Sequence, residues 1–170
     1  MDKHEALEKL LNAYSHNYDI ARDVAVEGGQ FPATAFFYLR DEHYLIRRDK
    51  KFYATEQHDY TYFYLADRLD AGTLRTQIEL SKAAGLKEVK PHKEHMCSYV
   101  TLVILADEID PEAKALIKRT RFQKNFRLAL HGWMEYHIAA MECSTLDILS
   151  NPAGRGVRKT LEGNFAPGAK

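Results

Sequence analysis

Glu56, His58 and Tyr60 recur at every second position of one aromatic stretch, so a strand there carries a carboxylate, an imidazole and a phenol on one face. Such a pair of neighbours suits metal ligation or acid–base work. A solvated strand face, with Glu and His paired to an adjacent strand, uses the same residues without chemistry. Asp59 adds a second acid to the stretch, and Asp41 lies upstream. His92-Lys93-Glu94-His95 sets two histidines three apart, and on a helix both would reach one metal. Pro91 instead marks a polar loop. Asp107-Glu108 and Asp110 follow a long apolar run, where ligands favour the strand ends of open α/β sheets; Asp110 also reads as a helix cap and Asp107 as part of a turn. Asp107 and His95 are thus the candidate metal ligands, and Glu56, His58 and Asp59 the candidate catalytic set. His131 and His137 flank Gly132-Trp133, with Gly132 a candidate bulge. No GxSxG, Walker A, GxGxxG or HExxH motif occurs, which leaves nucleophilic catalysis, ATP use and dinucleotide binding without support.

The elements that must hold these residues follow from periodicity. Asp2 caps a first helix, with Glu5 three residues on and Leu7, Leu10, Leu11 and Tyr14 as its apolar stripe. Tyr18–Glu27 alternates like a half-buried antiparallel strand that ends at Gly28-Gly29. Strands at Ala33–Leu39, Tyr44–Arg47 and Phe52–Leu65 continue a meander, with Arg40–His43 and Asp49–Lys51 as connections. Asp70 caps a second helix, which Gly85 stops. Tyr99–Ala106 is nearly all apolar, the pattern of a strand buried on both faces and paired in parallel. Asp110-Pro111-Glu112 opens a third helix reaching about Arg121. Phe126, Leu128 and Leu130 alternate with Arg127, Ala129 and His131 as a sixth strand. It resumes through Tyr136–Cys143, and a turn leads to a short strand at Ile148-Leu149. The reading is a mixed α/β (α+β) domain: an N-terminal helix, an antiparallel β-meander, then helix, buried strand, helix and strand, with helices flanking the sheet. One domain spans residues 1–165, and 166–170 form a flexible tail.

Composition sets outer limits. The chain has 170 residues, enough for one domain with a real core. Its 24 basic and 24 acidic residues cancel, so the overall basic surplus of most nucleic-acid binders is absent. Residues 31–65 nevertheless hold eleven of nineteen aromatics, interleaved with Arg40, Arg47, Arg48, Lys50 and Lys51, a composition that can stack bases. No signal-peptide core and no 18-residue apolar run is present, which predicts a cytoplasmic protein without membrane contact. Cys97 and Cys143 read as reduced, structural cysteines.

The element order, from Asp2 to Met141, resembles the core of the restriction-endonuclease-like (PD-(D/E)xK) superfamily. The chain also resembles short bacterial proteins of unknown function. The superfamily resemblance implies an Asp on one strand and Glu-x-Lys on the next, holding Mg²⁺ against a phosphate. The Asp position falls on Phe31-Pro32-Ala33-Thr34, which has no acid. The second motif becomes Leu45-Ile46-Arg47 or Glu56-Gln57-His58. With the motif broken, the leading expectation is a non-catalytic, nuclease-like domain that acts through protein association, as a homodimer, with no cofactor. One alternative is a Mg- or Mn-dependent phosphodiesterase using Glu56, Asp59 and His58. The other is a single-stranded nucleic-acid-binding module.

Overall fold

A computed structural model describes residues 1–44, 51–91, 95–128 and 130–165; at 40–44 and 51–55 the description is of the backbone. In chain order the elements are α1 (Lys3–Tyr14), β1 (Asp19–Val26), β2 (Gly29–Tyr44), β3 (Lys51–Leu69), α2 (Ala71–Glu88), β4 (His95–Ile109), α3 (Pro111–Arg119), β5 (Gln123–Asn125), β6 (Trp133–Glu142), β7 (Asp147–Ser150) and α4 (Arg155–Phe165). Among the described residues they build one seven-stranded sheet, ordered β1-β2-β3-β4-β6-β5, with β7 also on β6. The meander β1-β2-β3 is antiparallel. β4 runs parallel to β3 and to β6, as its apolar sequence requires of a central strand. β5 and β7 share the outer edge of β6, both antiparallel.

The core is two layers divided by β4. Val100, Leu102, Ile104 and Ala106 face α2 and α3. Val103 and Leu105 face the other way, into the cluster of Leu7, Leu10, Leu161 and Phe165 from α1 and α4. Asp2 begins α1 as the sequence implies, accepting from the backbone N–H of His4 and Glu5. Asp70 likewise caps α2 through Thr73. Cys97 and Cys143 are buried free thiols. Among the described residues no helix is long and apolar enough to cross a membrane.

Several local readings change. Arg40–His43 is not a connection; it lies inside β2, which runs sixteen residues without a break. Hydrophilic sequence marks an unburied strand as readily as a turn. The expected third strand therefore merges into β2 at Tyr44, and its remainder, 45–47, lies outside the described residues, as do His92, Glu94 and the tail 166–170. Gly85 does not stop α2, which continues to Glu88. A Cβ at Gly85 would sit 2.5 Å from both methyls of Val100, so the glycine is there to let α2 lie against β4. Phe126, Arg127, Leu128 and Leu130 are not in a strand, and Ala129 lies outside the described residues. Arg127 and Leu128 adopt left-handed backbone, φ 47° and 53°, and His131 N–H closes back on Phe126 O at 3.1 Å. This turn carries Leu128 and Leu130 into solvent, 94% and 76% exposed. Gly132, at φ 79°, ends the turn rather than bulging a strand. Finally, α4 arises in a Gly-, Pro- and Arg-rich stretch because Leu161 and Phe165 anchor it to the core.

Candidate functional site

The meander and β4 bring four of the singled-out residues together at the end of the sheet where β3 and β4 begin. Glu56, His58 and Tyr60 share the face turned toward α2. His95 joins them because a register shift between Glu56 and Gln57 aligns it opposite Glu56. Glu56 and His95 are both buried. Glu56 Oε2 stands 3.7 Å from His58 Nε2, an electrostatic neighbour beyond hydrogen-bond range. His58 Nδ1 is 3.5 Å from the Tyr60 hydroxyl, which donates to Glu88 O at the end of α2, 3.2 Å away. Burial pushes the Tyr60 phenol up to about 12, so it is a neutral donor at ordinary pH. The His95 and His58 rings lie 6.0 Å apart. His95 Nδ1 donates to His131 O at 2.7 Å, so in the neutral ring Nε2 accepts from the Ser98 hydroxyl, 2.8 Å away.

Above this row lies a groove of about 1070 Å³ between the β1–β2 turn and the second half of α2. Phe36, Tyr60 and Tyr62 lie along the sheet side, Ala83 and Ala84 on the helix side. The Phe36 and Tyr60 rings stack with centroids 5.0 Å apart. Lys87 and Lys90 stand at the rim, and Lys87 pairs with Glu27 across it. The arrangement can hold a hydrophobic group beside a carboxylate and an imidazole. Metal chemistry would need a further ligand. Among the described residues no three His, Cys, Asp or Glu side chains gather as a metal set.

The other candidates lie elsewhere. Asp59 is one residue out of phase and points to the α1 side of the sheet. There its carboxylate accepts from the hydroxyls of Tyr18 (2.8 Å), Thr61 (3.3 Å) and Thr101 (3.5 Å). Asp107 is at the far end of β4, twelve residues or about 40 Å along the strand from His95. A metal bound by both Asp107 and His95 is thus ruled out by length. Asp107 instead accepts from Lys3 at 2.6 Å, a bond tying α1 to the sheet. Asp110 begins α3 without a side-chain cap bond and pairs with Arg68 at 2.8 Å. Asp41 lies within β2. His137 lies beside Glu135, 3.1 Å away, and stacks on Tyr99.

Asp59 gives a pH signature. Burial raises its pKa, against the Tyr18 hydroxyl, His137 and the two threonine hydroxyls, which lower it. The fold therefore favours the neutral acid. The stability this group contributes is full below the ordinary aspartate value of 3.8 and declines as pH rises through that value toward the raised one. Asp59→Asn should remove the decline: its melting midpoint relative to the parent should climb as pH rises above about 4. A relative midpoint that stays flat over that rise would discharge Asp59 from this role.

Among the described residues, a mixed α+β domain with two helices on each face of a seven-stranded sheet, and an acid–imidazole–phenol row under a groove, is the class of protein this chain forms. It belongs to the family described as Domain of unknown function (DUF8052), whose model matches residues 2–163. No curated protein and no solved structure matches the chain.

Proposed function

We propose that this chain is a non-catalytic, nuclease-like α/β domain that acts through protein association, as a homodimer. One observation carries the association. Tyr38 and Leu39 are neighbours on β2 and so lie on opposite faces of the sheet, yet they are 44% and 48% exposed. Two adjacent half-exposed apolar side chains, one on each face of a strand whose edge β1 has left open, support a partner at that edge.

The order α1-β1-β2-β3-α2-β4-α3-β6 supports the nuclease-like comparison. The register supports the absence of catalysis. Ala33 pairs with Phe63 and Thr34 with Tyr62, so an aromatic stands opposite the position where the resemblance calls for the Asp. Glu56 pairs with Arg40, six residues or roughly 20 Å beyond Thr34 along β2. Glu56 and the 31–34 segment therefore have no common metal position.

Light scattering on the full chain across concentration should give a dimer mass, with dissociation in the micromolar range or below, about −8 kcal/mol. A monomer at about 1 mM, where ΔG of binding is only about −4 kcal/mol, refutes the association reading. Incubation with labelled DNA or RNA and Mg²⁺ or Mn²⁺ should give no cleavage. Cleavage that disappears in Glu56→Ala would replace this reading with the phosphodiesterase.

A further inference from the structure

We propose that the outer edge of β2 from Phe37 to Tyr44 pairs, antiparallel, with the same edge of a second copy across a twofold axis. This rests on the association reading above and specifies where it happens. β1 accompanies β2 only as far as Phe36, which pairs with Asp19. Beyond that point β2 runs eight more residues, and among the described residues β3 alone pairs with them. β3 in turn meets β4 only from Glu56 onward, so among the described residues 51–55 have no second neighbour either. The result is a two-stranded ribbon projecting past the sheet. A two-stranded ribbon by itself is marginally stable in water, and its outward N–H and C=O groups are a template for another strand.

Three features select a second copy and this edge. No proline lies between 37 and 44, so every residue keeps its N–H donor. An antiparallel edge is self-complementary: residue i meets j of the other copy while j meets i, as twofold symmetry demands. The pairing also covers Tyr38 on one face and Leu39 on the other, which a molecule binding one face of the sheet does not do. The competing edges are poorer templates. β1 is interrupted by Asp23 at φ 51°, and β5 and β7 are three and four residues long.

Hydrogen–deuterium exchange of the full chain, below and above the dimer midpoint from light scattering, tests it. The expected result is exchange at least about tenfold slower at high concentration in peptides covering 37–44, with β1 and the 126–132 turn unchanged. A dimer whose protection falls on β1, the groove or the turn would overturn the edge pairing and leave the association reading standing. A monomer at every concentration removes both.

Discussion

Replacing Tyr38 and Leu39 together by lysine is expected to raise the dimer dissociation constant at least about a hundredfold, with little change in the melting midpoint of the dilute protein. Each side chain is roughly half exposed in the single chain. Completing the burial of a large apolar side chain is worth about 1 kcal/mol or more, and a twofold interface counts every contact twice. The loss is then about 4 kcal/mol, above the roughly 2.8 kcal/mol that a hundredfold change needs at about 1.4 kcal/mol per factor of ten. Leu128→Glu with Leu130→Glu is the matched control. Those two are the more exposed pair, but they top the β5–β6 turn, and β3 and β4 stand between that turn's strands and β2. Their replacement should leave dissociation within about twofold of the parent, about 0.4 kcal/mol. Sedimentation or light scattering of both variants decides the matter. Dissociation by the turn variant alone would move the interface to that turn.

Asn151→Ala should cost about 3 kcal/mol or more of folding stability, read by urea unfolding. Asn151 is fully buried in the connection between β7 and α4. The outer edge of β6 is covered by β5 up to Glu135 and by β7 from Ala139, which leaves a gap between them. The Asn151 side chain fills it like a piece of strand. Its Oδ1 accepts from Ile138 N–H at 3.0 Å, and its Nδ2 donates to Tyr136 O at 3.0 Å. The same amide accepts from Gly154 N–H at 2.8 Å and donates to Thr120 O at 3.2 Å, joining the end of α3 to the start of α4. Alanine strands these backbone groups in the interior, and each unsatisfied one costs about 1–3 kcal/mol. Asn151→Asp keeps the acceptor, loses both donors and buries a charge, so it should be at least as damaging. A loss under about 1 kcal/mol in Asn151→Ala would mean that the gap in β6 is closed by other means.

How much of the site was legible depends on the distance over which each signal acts. Alternation along one strand is local, and it put Glu56, His58 and Tyr60 on one face. The same alternation separates Asp59 from them. Grouping Asp59 with Glu56 and His58 by closeness in sequence joined two faces of a sheet. His95 joined the row through a register shift between β3 and β4, which no count of residues within one segment contains. Asn151 carried no motif; its role exists only because β5 and β7 leave β6 uncovered between them.

Alone, the amino-acid order determined the helix starts at Asp2, Asp70 and Asp110, the central parallel place of the Tyr99–Ala106 run and the antiparallel meander before it. Each rests on capping, proline geometry or the burial of an unbroken apolar run, which act within a few residues. Tertiary structure decided how far β2 and β3 outrun their neighbours, that Gly85 packs rather than terminates, and that Leu128 and Leu130 stand in solvent. Strand ends, close approach and exposure depend on which segments meet. That is settled by the whole core, where long-range contacts override local pattern.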